Sequence, residues 1–230
     1  MYLYETHCHT SVGSHCGKAT PEEQVDFYAA NGYTGLFITD HFPISKKFED
    51  SDAPWEVQLG KILESYRRAK VRGDEVGLDV FFAWEFGHGG CDLLTYGLDE
   101  SFLLAHPDLR KTEVEDYCNM VHEAGGFLVH AHPFREAKYI HEIKLVPWCE
   151  DAVETFNANR SPECNEMALL YARHYAKPCT CGSDNHTASG QKTLAGMISR
   201  EKLTSPADYI ALVKSGDYKF WHKDLIIPEF

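Results

Sequence analysis

Short apolar runs alternate with longer amphipathic segments along the whole chain. Apolar runs at residues 1–7, 33–40 and 78–86 predict three strands, and segments with helical periodicity separate them. The first of these segments opens with Thr20 and Pro21, a pair that is typical of a helix N-terminus. Further strands are predicted at residues 91–98, 127–133, 151–157 and 178–184, and helices at residues 20–32, 55–72, 113–124, 162–175 and 206–214.

The alternation of strands and helices predicts an α/β domain with parallel strands. Seven or eight such units suit a barrel of the TIM type better than an open sheet. In a barrel, functional side chains collect at the C-terminal mouth of the strands. We find no repeat or linker, so residues 1–230 are predicted to form one domain. The polar stretch at residues 45–54 is predicted to be a loop that could cover the mouth.

Candidate metal ligands lie at the ends of the predicted strands. Side chains two residues apart on a strand face the same side, so His7 and His9 can direct two ligands at one point, as can Asp184 and His186. Imidazoles and carboxylates together suit zinc, iron or manganese rather than calcium. Strand ends otherwise favour small residues and turn formers. The occurrence of ligand-type side chains at several strand ends therefore indicates a metal site. The set is His7, His9, Asp40, His41, Glu85, Asp92, His130, His132, Asp184 and His186.

Composition and charge favour some classes of function and disfavour others. Thirteen histidines among 230 residues direct attention to metal binding or acid–base chemistry. The formal charge of −13 disfavours binding to duplex nucleic acid, although bound cations would still attract a small phosphate. There is no apolar run near the roughly 18 residues that span a membrane. The first residues lack the pattern of a signal peptide, so a cytoplasmic location and eight reduced cysteines are expected.

Five motifs, HCHTSVGSH, ITDH, AWEF, VHAHP and GSDNH, occur in this order and resemble the PHP (polymerase and histidinol phosphatase) family. The resemblance covers most of the chain and implies a distorted (β/α)7 TIM-like barrel, with the metal site at the C-terminal mouth of the strands. It implies three divalent metal ions (zinc, manganese or iron), and it favours His132 over His130, between which the residue pattern alone does not choose. By position, it assigns His7, His9, Glu85 and Asp184 to the first ion, Glu85 and His132 to the second, and His15, His41 and His186 to the third.

One position departs from the family's pattern. Family members commonly carry a histidine before a run like LLTYGL, where this chain has Asp92. An aspartate can bind the same metals, so Asp92 stays a candidate ligand. His88, in the preceding glycine-rich turn, is an alternative that could replace the missing histidine. Cys16 follows His15 and could approach a metal as a thiolate, although packing is its expected role.

Clustered divalent ions suit the hydrolysis of phosphate esters, because they activate water as hydroxide and bind oxygens on both sides of a displacement at phosphorus. Glu85, Asp184 and His186 are predicted to be catalytic through the metal centre, and either Asp184 or His186 could relay a proton. Arg135 and Arg160 are candidates for contacts to the phosphate, since guanidinium geometry matches it.

The expected function is that of a hydrolase, a metal-dependent phosphoesterase acting on a small phosphomonoester, for which the resemblance suggests L-histidinol phosphate. One alternative is an exonuclease-type phosphodiesterase on short oligonucleotides, which the charge and the lack of interleaved basic and aromatic residues disfavour. The other alternative is a non-catalytic metal-binding regulatory domain. The many histidines and carboxylates disfavour it, because structural zinc sites are usually rich in cysteine. The expected partner is a small phosphorylated substrate, with no duplex nucleic acid and no membrane. Oligomeric state does not follow from the sequence.

Overall fold

The computed structural model describes residues 1–42, 54–138 and 140–224. Most of the loop predicted at residues 45–54 therefore lies outside the described residues. The strands are β1 (Tyr2–Cys8), β2 (Gly35–Ile38), β3 (His41–Phe42), β4 (Asp79–Phe82), β5 (Trp84–His88), β6 (Cys91–Tyr96), β7 (Phe127–His130), β8 (Ala152–Asn157), β9 (Cys179–Gly182), β10 (Thr193–Ser199) and β11 (Lys219–Asp224). The helices are α1 (Pro21–Ala30), α2 (Trp55–Val76), α3 (Glu100–Ala105), α4 (Val114–Glu123), α5 (Pro162–His174) and α6 (Pro206–Ser215).

Local sequence signals explain where the helices begin. Thr20 caps α1 with its side-chain oxygen, which accepts a hydrogen bond from the Glu23 backbone N–H at 3.2 Å. The Glu23 carboxylate accepts in return from the Thr20 N–H at 2.7 Å, which completes a capping box. Ser205 and Asp208 form the same arrangement at the start of α6. The predicted helix starts at Pro21, Pro162 and Pro206 are thus confirmed.

The strands form two sheets of mixed direction, and in the described residues these sheets do not close into the predicted barrel. One sheet has the order β11-β10-β1-β2-β4, and the other β3-β5-β6-β7-β8-β9. The predicted strand at residues 78–86 is divided at Ala83, so that β4 pairs with β2 in one sheet and β5 pairs with β3 in the other. An isolated parallel bridge between Cys8 and Asn185 links β1 to the segment that follows β9.

The prediction of parallel strands throughout was wrong at β6. This strand runs antiparallel to both β5 and β7, because a turn at Gly89 and Gly90, both with positive φ, joins β5 to β6 as a hairpin. The reversal places the N-terminal end of β6 beside the C-terminal ends of its neighbours. Asp92 therefore lies at the same edge as His132, although it opens its strand.

The structure also has two strands, β10 and β11, that the sequence pattern did not predict. Strand β10 pairs antiparallel with β1, and β11 pairs antiparallel with β10, whereas the sequence pattern predicted α6 as the last element. Both additions extend the first sheet at the edge opposite to β4. The short α3 was likewise not predicted.

The core supports the ligand-bearing strands from behind. Trp84, Phe86 and Tyr117 are all fully buried, and the rings of Phe86 and Tyr117 stack with centroids 3.7 Å apart. The Trp84 indole donates a hydrogen bond to the Tyr117 hydroxyl at 2.8 Å, which satisfies both polar groups inside the core. In the part of the chain that the structure describes, no helix has the length and apolar character needed to cross a membrane.

Candidate metal centre

His7 and His9 on and after β1 begin the site. Both side chains are fully buried, and their Nε2 atoms lie 3.0 Å apart, as the two-residue periodicity of a strand predicts. Two buried carboxylates face them. The His9 Nε2 lies 3.4 Å from Glu85 Oε2 on β5 and 3.4 Å from Asp184 Oδ1 after β9. The four side chains assigned by position to the first metal therefore meet at one point.

Three overlapping groups of ligand atoms form around these residues. Within each group, all ligand atoms lie within 4.8 Å of one another. Seven of the predicted metal-binding residues are brought together in this way. The groups are His7, His9 and Asp184; His7, Glu85 and His132; and His9, His41 and His186.

The third group differs from the one that the resemblance implies. His9 takes part in it, and its ring stacks with His41 and His186 at centroid distances of 4.4 Å and 4.3 Å. His15 is exposed and lines the pocket in front of the group. Among the described residues it belongs to none of the three groups, so its assignment to the third ion stays a prediction.

The Glu85 carboxylate lies between the rings of two histidines. Its Oε2 lies 2.7 Å from His41 Nδ1, and its Oε1 lies 3.2 Å from His132 Nε2. Burial alone would favour the neutral acid, but the charges of His41 and His7 hold the pKa of Glu85 well below its ordinary value. Both oxygens are buried without a well-oriented hydrogen bond. Such orphaned anionic oxygens among imidazoles fit bound divalent cations.

His132 and His130 have different surroundings, although they are two residues apart. His132 follows β7 with a φ of 28° and faces Glu85, whereas His130 lies behind the site. The His130 Nδ1 is 3.5 Å from Glu150 Oε2, and its Nε2 is 3.6 Å from the Cys91 sulfur. The positive φ rotates His132 out of the strand's alternation, which is why residue spacing could not distinguish the two.

Asp92 lies at the edge of the site in an ion pair. Its Oδ2 is 2.7 Å from Arg135 Nη2 and 3.9 Å from His132 Nδ1. Among the described residues Asp92 joins none of the three ligand groups. His88, the alternative ligand, is 3.3 Å from Glu113 and is not in a group either.

Arg160 contacts the site through Asp184, whereas Arg135 contacts Asp92. The Arg160 Nη2 donates to Asp184 Oδ2 at 2.7 Å, and its side chain is mostly buried. Burial raises the pKa of Asp184, but His7, His9 and His132 together hold it well below its usual range, so this carboxylate is ionised. Both arginines line one open pocket of about 560 Å³ above the metal-ligand groups. Its other lining residues are His15, Cys16, His41, Phe42, Gly87, Asp92, His132, Asp184 and His186.

Side chains that position the ligands lie behind them. Glu154 and Ser14 were not singled out from the sequence, whereas Asp40 was a candidate ligand there. Glu154 on β8 is fully buried and accepts a hydrogen bond from His7 Nδ1 at 2.9 Å, which turns the His7 Nε2 lone pair toward the site. Asp40 accepts from Ser14 Oγ at 2.7 Å, and Ser14 lies 3.2 Å from His9 Nδ1. For Glu154, the signal in the sequence was an acidic residue within the apolar strand DAVETFN.

Known structures share this fold. A two-domain protein from Bacteroides vulgatus, which contains a predicted PHP-like metal-dependent phosphoesterase, matches with a TM-score of 0.72 and 14% identity, over 96% of this chain and 64% of that chain. A candidate metal-dependent phosphoesterase from Bifidobacterium adolescentis matches with a TM-score of 0.57 and 16% identity, over 91% and 96%. The lesion-specific endonuclease EndoQ from Pyrococcus furiosus matches with a TM-score of 0.58 and 13% identity, over 95% and 57%.

These likenesses identify the fold. The chain has the fold of the PHP-like metal-dependent phosphoesterases, as the sequence motifs predicted. It spans about two thirds of the length of the Bacteroides vulgatus protein and just over half of EndoQ. No family model matches the chain, and no curated protein matches its sequence.

Proposed function

We propose that this protein is a metal-dependent phosphoesterase that hydrolyses a small phosphomonoester. The observation that carries the proposal is the junction of three ligand groups at Glu85, Asp184, His7 and His9, beneath a pocket lined by two arginines. A cluster of buried imidazoles and carboxylates with an open side is typical of catalytic metal sites, whereas structural sites are closed and rich in cysteine.

The side chains divide into those that hold cations and those that hold substrate. His7, His9, Glu85 and Asp184 would bind the first ion, Glu85 and His132 the second, and His41 and His186, with His15 from the pocket rim, the third. Divalent ions bound there supply Lewis-acid activation of water and neutralise charge at phosphorus. Burial raises the pKa of Asp184, but the charges of His7, His9 and His132 hold it well below its usual range, which suits a carboxylate ligand.

Arg160 and Arg135 are proposed to orient the phosphate. Each guanidinium lies at the pocket wall and is itself held by a carboxylate, Asp184 for Arg160 and Asp92 for Arg135. Such pairs fix the planar guanidinium before substrate arrives, so less side-chain entropy is lost on binding. The residues would add positive charge where negative charge develops in the transition state.

The size and charge of the site favour a small substrate. A pocket of about 560 Å³ is within the range of small-molecule sites. The chain's formal charge of −13 opposes long-range attraction of a polyanion, but it does not prevent a single phosphate from reaching the cations.

The test is phosphate release from a panel of substrates by protein that has been stripped of metal and reloaded with zinc, manganese or iron. The panel holds simple phosphomonoesters, L-histidinol phosphate, a phosphodiester and a short single-stranded oligonucleotide. We expect monoesters to be hydrolysed faster than diesters, with the metal-free protein inactive. Asp184→Asn should abolish turnover, and Asp217→Asn, at an exposed position in the α6–β11 connection, serves as the matched control.

The other outcomes distinguish the alternatives. Faster hydrolysis of the oligonucleotide than of every monoester would replace the proposal with an exonuclease-type phosphodiesterase. Metal binding with no turnover of any substrate would favour a non-catalytic metal-binding domain.

A further inference from the structure

A second cavity adjoins the pocket above the metal-ligand groups. It has a volume of about 450 Å³, and both Arg160 and His186 line it as well as the main pocket. Arg160 is the residue proposed to orient the phosphate, and His186 belongs to the third ligand group. A substrate whose phosphate lies at the metal ligands can therefore extend past these two side chains. The remaining wall of the second cavity includes Asn159, Thr187, Gln191 and Lys192.

The backbone that carries Lys192 is held in place by a buried amide. Gln191 is buried, and its Nε2 donates to the carbonyl oxygen of Ser183 at 3.1 Å and to that of Thr193 at 3.0 Å. Thr193 also begins β10, where it pairs with β11. The chain is thus fixed on both sides of Lys192, while the lysine side chain itself is exposed. A ligand in the cavity has to immobilise only that side chain, which keeps the entropic cost of binding low.

The second cavity differs in charge from most of the chain. The sequence has 35 acidic and 22 basic residues, yet in the described parts of the chain no aspartate or glutamate lines this cavity. Its lining includes the cations Arg160 and Lys192. The main pocket, in contrast, is lined by Asp92 and Asp184. Since like charges repel, a negatively charged group is more favourable in the second cavity than beside Asp92.

Both cations of the second cavity can make further hydrogen bonds. Arg160 donates from Nη2 to Asp184 Oδ2 at 2.7 Å, but its buried Nε has no acceptor among the residues that the structure describes. Along residues 1–42, 54–138 and 140–224, no carboxylate forms an ion pair with Lys192. A buried donor without an acceptor costs free energy, so a ligand with anionic oxygens would gain contacts at this wall.

We propose that the second cavity binds the alcohol part of the substrate, and that Lys192 binds a second anionic group on that alcohol, a carboxylate or a second phosphate. The inference rests on the proposed function, because it takes the position of the hydrolysed phosphate from there. The substrate class is thus a phosphomonoester whose alcohol carries a negative charge. An alcohol with a positive charge, such as that of L-histidinol phosphate, meets Lys192 with repulsion instead.

The experiment measures equilibrium binding of phosphonates, in which a P–C bond replaces the ester bond and prevents hydrolysis. Metal-loaded protein is titrated calorimetrically with alkylphosphonates of increasing length that end in a methyl group, a carboxylate, a second phosphonate or an amine. We expect an anionic end group to lower Kd about tenfold relative to the methyl group. This is the lower end of what a hydrogen bond to a charged group contributes, because Lys192 is exposed. The anion with the larger gain shows whether the cavity prefers a carboxylate or a phosphate.

Variants of Lys192 test whether this residue causes the preference. Lys192→Gln should bring the ratio of the Kd values for the methyl and anionic end groups close to unity. Lys192→Arg keeps the charge and should retain most of the preference. Lys219→Gln, at an exposed position on β11 outside both cavities, is the matched control. Equal affinity for all end groups in the wild type would overturn the inference, and so would an anion preference that Lys192→Gln leaves intact.

Failure of the proposed function gives a different result. If no phosphate ester is hydrolysed, yet the Lys192-dependent preference is measured, the anion subsite stands and the phosphoesterase proposal falls. If monoesters are hydrolysed and the end group changes neither Kd nor kcat/KM, the phosphoesterase proposal stands and the subsite falls.

Discussion

Glu154→Gln is the substitution that tests most sharply how the metal ligands are held. Glu154 is fully buried, and both of its oxygens accept hydrogen bonds. One oxygen lies 2.9 Å from His7 Nδ1, and the other accepts from the His132 backbone N–H at 3.1 Å and from Asn157 Nδ2 at 2.8 Å. Every neighbour of the carboxylate is thus a donor. A glutamine of the same shape has one acceptor oxygen and one NH₂ donor, so one contact becomes donor against donor in one orientation and two contacts do so in the other.

The two orientations damage the site in different ways. If the NH₂ group faces His7, the ring must carry its proton on Nε2, and the nitrogen that faces Glu85 and Asp184 can no longer bind a metal. If it faces His132 and Asn157, two buried N–H groups lose their acceptor. Loss of an outer-shell partner typically reduces metal affinity by about 10–100-fold, or roughly 1.4–2.8 kcal/mol. Loss of a hydrogen bond to a charged group costs a further ~1.5–3 kcal/mol of folding stability.

The assay is a competition between the protein and a chelator of known affinity, paired with thermal unfolding of the metal-free protein. Glu166→Gln, at an exposed position on α5, is the matched control and should change neither quantity. Wild-type metal affinity in a folded Glu154→Gln would refute the claim that Glu154 sets the tautomer of His7.

Three further changes test other contacts. In metal-loaded protein, Arg160→Gln should lower kcat/KM for a phosphomonoester by about 10–100-fold through the lost charge-assisted contact, and an unchanged value would remove Arg160 from substrate binding. Gly182→Ala would place its Cβ 2.7 Å from the His7 Cβ, so urea unfolding should show a loss of about 1–3 kcal/mol, and unchanged stability would contradict this close packing. Hydrogen bonds from Arg68 lower the pKa of Glu22, so this pair stabilises the fold above the ordinary carboxyl pKa and loses its effect as pH falls through the lowered value. Glu22→Gln should therefore be less stable than wild type at neutral pH, and the difference should vanish in acid; a difference independent of pH would contradict the pair's role.

The sequence predicted the ligands at strand ends because strand periodicity is local. His7 and His9 are two residues apart on an extended segment, so their common direction follows from the backbone alone. The ends of parallel strands then bring Glu85 and Asp184 to them. The helix starts were equally predictable, since Thr20 and Ser205 cap their helices through contacts within four residues.

What the sequence could not predict depends on long-range pairing and on single backbone angles. Whether β6 runs parallel or antiparallel depends on a two-glycine turn whose meaning appears only with its partners in place. The role of Glu154 arises from a contact to a residue 147 positions away.

Anomalous diffraction from crystals of the metal-loaded protein with phosphate bound would test the central claim most directly. We predict anomalous peaks within the three ligand groups, each in contact with Glu85, Asp184 or His41, and a phosphate between these peaks and Arg160. A fully loaded crystal with no anomalous peak near Glu85 and Asp184 would contradict the account of this site as a metal centre.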